Sequence, residues 1–354
     1  MPELNLPVPV YVLGATGSVG QRFVQLLDGH PWFRVAALTG SERSVGESYG
    51  EACRWVLAEP MPDWARGMRI EPSHPKSNTA QIAFSALPTD KARLIEPNFA
   101  EAGLMVCSNA SAYRQAPDVP VLLPEVNPDH TTALHVQRQR WPGKGGIVTN
   151  PNCTSTGMTV ALKPLLDSFG LSRVFVVSMQ ALSGAGYPGV SSMDSLDNVI
   201  PYIAGEEDKV EDEPRKMLGG FNGGQFQPAG FQISAHTNRV AVSDGHLVCM
   251  SVELASPASL EQVSNALQDF TSPEGIRNLP SAPRPVIALM SEPDRPQPRL
   301  DRMQGRGMTT VVGRLRHDPL FHFKMVVLSH NTIRGAAGGS IYNAELLLQQ
   351  GWLA

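Results

Sequence analysis

Three observations predict an α/β protein in two parts, the second an α+β unit with a mostly antiparallel sheet. A glycine-rich turn joins an apolar strand to a helical pattern near the N-terminus. Short apolar runs then alternate with helical spacing through the first third of the chain, as in βαβ units. In the second half the pattern changes to longer strand-like runs with few helices between them.

Residues 8–13 (VPVYVL) read as the first strand. Phe23, Val24, Leu26 and Leu27 form the apolar face of the helix that follows, stopped by Asp28-Gly29-His30-Pro31. Further strands are expected at 33–38, 81–86, 104–108 and 121–123. Residues 147–152 run from a strand into a turn, and Met158, Leu162, Leu165, Leu166 and Phe169 then recur at helical spacing. Segments 173–179, 245–254, 309–316 and 321–329 read as the strands of the second sheet. The Pro- and Gly-rich stretches 183–189 and 295–308 read as loops. A last helix at about 340–350 is expected to return to the first part.

Composition narrows the function. The 354 residues are 42% hydrophobic and 18% charged, enough for two domains and a sizeable core. A net charge of −4 with no Lys/Arg block argues against a nucleic-acid partner. The N-terminus lacks the basic start and apolar run of a signal peptide, and no apolar stretch is long enough to span a membrane. Cys53, Cys107, Cys153 and Cys249 have no CxxC pairing, so neither a disulfide framework nor a metal site is expected. Free thiols suit a reducing compartment, and a cytoplasmic protein is expected.

Gly14-Ala15-Thr16-Gly17-Ser18-Val19-Gly20 carries the spacing GxxGxxG between the first strand and the first helix. In that context glycines let the backbone approach a pyrophosphate, and the helix start supplies free N–H groups and partial positive charge. The first part is therefore read as a Rossmann-like dinucleotide-binding domain, with Gly14, Thr16, Gly17, Ser18 and Val19 at the cofactor. A tight turn in a non-binding α/β protein is the alternative. The second strand ends without the acid that an NAD ribose prefers. Ser41, Arg43 and Ser44 follow instead and suit a 2′-phosphate, although Glu42 stands among them. The cofactor read from this loop is NADP.

Asn150-Pro151-Asn152-Cys153-Thr154-Ser155 places Cys153 at an expected helix N-terminus. That position should lower the thiol pKa and make a thiolate nucleophile that forms a reactive thioester. Asn152 and neighbouring N–H groups are candidate oxyanion donors. A buried structural cysteine is the alternative, and for Cys53, Cys107 and Cys249 it is the preferred reading.

With these motifs in place, the sequence resembles the aspartate-semialdehyde dehydrogenase family, in particular its archaeal and fungal branch. The resemblance covers essentially the whole chain. It is carried by the GATGSVG loop, the TNPNC segment ending at Cys153, and QALSGAGYPG from Gln180. GEEDK from Gly205, Asn238-Arg239 with Asp244-Gly245-His246, RPQPRLDR from Arg295 and NTIRGAAG from Asn331 complete it.

The resemblance implies reversible NADP-dependent reduction of L-aspartyl 4-phosphate to L-aspartate 4-semialdehyde, in the pathway to lysine, methionine and threonine. It implies Cys153 as nucleophile, His246 as acid/base and Gln180 as the residue orienting the acyl group. Arg239 would clamp the α-carboxylate, Glu206 the ammonium group and Lys209 the phosphate. Arg114 is the candidate second phosphate cation. Cofactor contacts would extend to Ser85, Leu87, Ser183, Gly184 and Asn331. The roles fit the chemistry of the residue types: a guanidinium fork matches a carboxylate, and imidazole titrates near neutrality. The expected domains are 1–150 for NADP, with 332–354 packing back onto it, and 151–331 for catalysis and dimerisation. A homodimer or homotetramer is expected.

Each residue has a plainer reading on its own. The run 205–209 is the kind of charge cluster that usually faces solvent, and a lone Arg239 reads as a surface ion-pair partner. Two rival functions stay open: a malonyl-CoA reductase-like thioester reductase on the same scaffold, against which Glu206 argues, and a non-catalytic NADP-sensing paralogue. N-acetylglutamyl-phosphate reductase is a more distant fit.

Overall fold

The computed structural model describes residues 6–76, 80–141, 143 and 145–353. A first sheet contains β1 (Val8–Leu13), β2 (Phe33–Thr39), β3 (Ile70–Glu71), β4 (Ile82–Ser85), β5 (Met105–Ser108) and β6 (Gly146–Thr149) in the order β3-β2-β1-β4-β5-β6. All its pairings are parallel. This is the doubly wound Rossmann order, in which ligands bind where the strand order reverses, beside the carboxyl ends of β1 and β4. The strands are apolar on both faces because helices cover both. Tyr11, Phe99, Val106 and Ile147 fill one side. Val10, Phe23, Phe33 and Phe84 fill the other, together with Ile341, Leu347 and Trp352 from the end of the chain.

The second sheet contains β7 (Leu171–Gln180), β10 (Gln232–Arg239), β11 (His246–Leu254), β12 (Ile287–Leu289), β13 (Thr310–His317) and β14 (Phe323–Ser329). Their order is β10-β7-β11-β14-β13-β12, antiparallel at the centre with a parallel strand at each edge. β8 (Gly220–Asn222) and β9 (Gln225–Gln227) form a separate hairpin. The helix Cys153–Phe169 packs on one face of this sheet and is buried almost all round. The opposite face is only half covered: Phe175, Val177 and Met179 of β7 and Leu247 and Cys249 of β11 are half-buried.

Several expectations need correction. Residues 121–123 form only a single bridge, Val121 to Thr149, because the chain turns away toward the Pro128–Ala133 turn. β10, with its polar sequence QISAHTNR, carries little apolar signal and was not anticipated. The charge run from Glu206 opens a helix, Glu206–Met217, with Glu206, Glu213 and Lys216 buried rather than solvated. Arg239 and His246 sit on strands that flank β7, β10 on one side and β11 on the other.

Candidate active site

The glycine loop is built for close approach. Gly14 has φ +71°, and a Cβ there would stand 2.9 Å from the Ala86 carbonyl oxygen. At Gly20 a Cβ would meet the Gly14 oxygen at 2.3 Å. Gly17 ends the loop as an N-cap with no side-chain cap, so the first N–H groups of the helix Ser18–Leu26 point out unpaired by a side chain. Thr16 holds the loop through its carbonyl, which accepts from Gln21 Nε2 at 2.9 Å, and Val19 packs on the core below. The Ala15 N–H donates to the Thr39 carbonyl at 2.9 Å, fixing the loop to the end of β2. Ser41, Glu42, Arg43 and Ser44 form one turn beyond that strand, with Glu42 exposed. Ser85 ends β4 with a buried hydroxyl beside the Glu96 carboxyl, and Leu87 touches the Gly14 position.

A cleft of about 570 Å³ opens beside Ser18 and runs to Ser183, Asp244, Arg302 and His330. Asn331 braces one of its lining residues: its Nδ2 donates to Ser183 Oγ at 2.8 Å, and its Oδ1 accepts from the Gly245 N–H at 2.8 Å.

Three strand ends and one helix start meet beyond this cleft. Gln180 ends β7, in register with Arg239 on β10, and His246 opens β11 on the other side. Cys153 is the first residue of its helix, half-buried, with Sγ 3.2 Å from His246 Nε2. Asn152 is the N-cap: Oδ1 accepts from the Thr154 and Ser155 N–H groups at 2.9 and 3.3 Å. Its Nδ2 donates to Glu206 Oε1 at 2.8 Å. Capping therefore already occupies the Asn152 side-chain oxygen and two of the N–H groups expected to serve an oxyanion. The Cys153 N–H, at the first position of the helix, is a backbone donor beside the reacting atom.

Ala181 fixes the protonation of the pair. Its N–H donates to His246 Nδ1 at 3.0 Å, so the single proton of the neutral imidazole sits on Nε2 and points at Cys153. Burial, with Arg239 nearby, pushes the imidazole down to about 3, which keeps the ring neutral. The expectation of a lowered thiol pKa is overturned. Burial and the Glu206 carboxylate push the Cys153 thiol up to about 12, against the opposing pull of Arg114 and Arg239. Desolvation here outweighs the helix start.

The remaining side chains surround this pair. Arg239 is 7% exposed, and its Nη1 donates to the Ala181 carbonyl at 2.7 Å. A Cβ at Gly184 would lie 2.8 Å from Arg239 Nη1 and 3.1 Å from His246 Nε2, so only glycine leaves the space between them open. Lys209 Nζ reaches Glu206 Oε2 at 3.4 Å. Gln180 is buried and donates to Ser178 Oγ at 3.3 Å. Arg114 arrives from the loop after β5, where its Nη2 donates to the Asn109 carbonyl at 2.7 Å. Its Nη1 pairs with Glu213 at 3.1 Å. Gly335 crosses so close that a Cβ would stand 2.8 Å from the Cys153 Cβ. Among the described residues, no group of three or more His, Cys, Asp or Glu could hold a metal ion. Among the described residues, no helix is long and apolar enough to cross a membrane.

Sequence reasoning missed Ala181, Glu213 and Lys216. The Lys216 ammonium is buried against the carbonyls of Arg114, Ala116 and Val119 at 2.6, 2.9 and 2.9 Å. Positions 206, 209, 213 and 216 recur at helical spacing on one face, a signal the charge run concealed. Ala181 acts through its backbone and leaves no such signal.

Comparison with known proteins agrees with this architecture. Residues 9–134 match the family described as semialdehyde dehydrogenase, NAD binding domain, and residues 162–334 the semialdehyde dehydrogenase, dimerisation domain. The chain is 52% identical to the aspartate-semialdehyde dehydrogenase of Archaeoglobus fulgidus, covering 96% of this chain and 98% of that one. It is 46% identical to the Candida albicans enzyme of the same name, over 95% and 96%. The crystal structure of aspartate semialdehyde dehydrogenase with NADP from Candida albicans superposes with a TM-score of 0.90 at 44% identity, over 98% of this chain and 99% of that one. With a nucleotide-binding sheet, a thiol–imidazole pair and relatives of this identity along nearly its whole length, the chain belongs to the aspartate-semialdehyde dehydrogenase family of oxidoreductases.

Proposed function

We propose that the chain interconverts L-aspartyl 4-phosphate and L-aspartate 4-semialdehyde plus phosphate with NADPH, through a thioester on Cys153. The observation that carries this reading is the Cys153 Sγ–His246 Nε2 contact of 3.2 Å at a helix start, flanked by a buried guanidinium and a buried carboxylate. We read residues 1–150 with 332–354 as the nucleotide-binding domain and 151–331 as the catalytic domain. A cytoplasmic homodimer or homotetramer fits the half-covered apolar face of β7 and β11.

The residues fit NADP. The close approach at Gly14 and Gly20, the uncapped helix start at Gly17 and the adjoining cleft suit a pyrophosphate. Gly14, Thr16, Gly17, Ser18 and Val19 would hold it, Ser41, Arg43 and Ser44 the 2′-phosphate, and Ser85, Leu87, Ser183, Gly184 and Asn331 the nicotinamide side. When bound, NADPH supplies a hydride to the thioester carbon.

Arg239 holds the substrate α-carboxylate and Glu206 its ammonium group, while Gln180 orients the acyl group. The Cys153 sulfur attacks the acyl carbon as its S–H bond breaks, the carbon–oxygen bond to phosphate breaks, the leaving phosphate takes up the thiol proton, and Lys209 and Arg114 receive the resulting anion. The Cys153 N–H faces the developing oxyanion. On collapse of the hemithioacetal the carbon–sulfur bond breaks, and His246 Nε2–H donates to the leaving thiolate. Taking up a proton at Nε2 would require His246 first to give one up, so in the resting geometry it is a donor rather than a base.

The test is steady-state turnover with aspartate semialdehyde, phosphate and each nucleotide, alongside malonyl-CoA with NADPH. Phosphate-dependent reduction of NADP by the semialdehyde supports the reading. Turnover of malonyl-CoA alone would replace it with the thioester-reductase alternative. Nucleotide binding without an acyl-phosphate analogue adduct on Cys153, sought by mass spectrometry, would indicate a sensing paralogue.

A further inference from the structure

Glu213 is 1% exposed, and its carboxylate spans two separate parts of the site. Oε1 accepts from Arg114 Nη1 at 3.1 Å, on the loop that follows β5 of the nucleotide-binding sheet. Oε2 accepts from the Asn152 backbone N–H at 2.5 Å, one residue before the nucleophile. Asn152 is thus gripped by one helix face at two points, its backbone by Glu213 and its side chain by Glu206 at 2.8 Å. Two turns of helix separate these carboxylates, so the helix Glu206–Met217 acts as a rigid bar along the start of the Cys153 helix. One turn further on, Lys216 binds three carbonyls of the Arg114 loop, which fixes that loop to the same bar.

Arg114 is left with a buried Nε that has no partner among the described residues. Glu213 and Asn109 hold this guanidinium in place, and its positive charge opposes the effect of burial on the Cys153 thiol. A buried guanidinium with donors to spare is suited to an anion arriving beside the nucleophile. A buried carboxylate that meets two donors at once also sets their separation, because neither can move without losing a charge-assisted hydrogen bond.

We propose that Glu213 is a positioning residue for the phosphate step: it sets Arg114 at a fixed distance from the Cys153 helix, so that phosphate is held against the thioester carbon. This rests on the phosphate role for Arg114 given above.

The test is a double-mutant cycle on the intact enzyme, run in the direction that consumes phosphate, with Glu213→Gln, Arg114→Ala and the pair. Glu213→Asp, which keeps the charge and shortens the reach, is a second variant, and thermal melts check folding. Positioning predicts that Glu213→Gln raises KM for phosphate by about tenfold with little change in KM for the semialdehyde. It predicts the same for Glu213→Asp, and no further rise when Glu213→Gln is added to Arg114→Ala. If Glu213 only neutralised Arg114, its removal would lower KM for phosphate, and that result overturns the inference. So do additive effects in the cycle, or equal shifts in both KM values. An unchanged phosphate KM in Arg114→Ala alone would remove the Arg114 assignment, and the inference with it. A raised value there beside an unchanged one in Glu213→Gln would remove the inference alone.

Discussion

The two halves of the site are made of different materials. On the nucleotide side, the first sheet offers backbone: glycines without Cβ atoms and an uncapped helix start. On the Cys153 side, the second sheet and the helix Glu206–Met217 offer buried charge: Arg239, Glu206, Glu213 and Lys216, each held by a hydrogen bond from or to another element. The comparison shows how each half fails when altered. A backbone cradle is lost when atoms are added to it. A charged cradle is lost when atoms are removed from it, because each deletion strands a buried partner.

The largest expected effect separates the halves completely. Cys153→Ser should bind NADPH with unchanged affinity in a fluorescence titration and lose turnover by about a thousandfold or more. Near-wild-type turnover would dismiss the thioester. Next comes Arg239→Lys, which keeps a charge but loses the planar fork; kcat/KM for the semialdehyde should fall by roughly 2–4 kcal/mol, or about thirty- to a thousandfold. A drop under about threefold would mean that the carboxylate is bound elsewhere.

Gly20→Ala tests the nucleotide half by addition. The new Cβ meets backbone at 2.3 Å, so stability should fall by about 1–3 kcal/mol in a denaturant melt, and KM for NADPH should rise more than KM for the semialdehyde. Equal rises would mean that the clash spreads across both halves.

The resting thiol gives a pH prediction. With Cys153 pushed up to about 12, alkylation of the free enzyme by iodoacetamide should keep accelerating with pH past the point, near 8.5, where an ordinary thiol begins to level off. Since Glu206 is one cause of the rise, Glu206→Gln should alkylate faster at pH 8. A plateau below that pH in the unaltered enzyme would show a thiolate stabilised by the helix start. The smallest effect is expected from Arg43→Ala: on the order of a tenfold rise in KM for NADPH with no change for NADH, which would locate the 2′-phosphate at the turn after β2.

The same contrast explains what the sequence disclosed. The glycine loop, β1, β2 and the four inner strands of the second sheet, β7, β11, β14 and β13, were legible because a period of two and a Gly-rich turn are local signals. Cys153 at a helix start was legible for the same reason. The thiol's raised pKa was not, because it depends on Glu206, Arg114 and Arg239, which the fold brings from other elements. β10 escaped notice because a strand at the sheet edge can be polar. The helix Glu206–Met217 reads as a solvated charge run until its partners, Asn152 and Arg114, are known.

Ala181 also bears on any attempt to change which acyl chain the enzyme accepts. Through one residue's main chain, Arg239 is tied to the carbonyl and His246 to the N–H, and Gly184, lacking a Cβ, keeps the space between the two side chains open. The span from the Arg239 guanidinium to the Cys153 sulfur is therefore a ruler engraved in backbone, set by the carbonyl and N–H of residue 181 rather than by its side chain. A site redesigned for a longer substrate would have to move the end of β7 or re-aim Arg239 from β10.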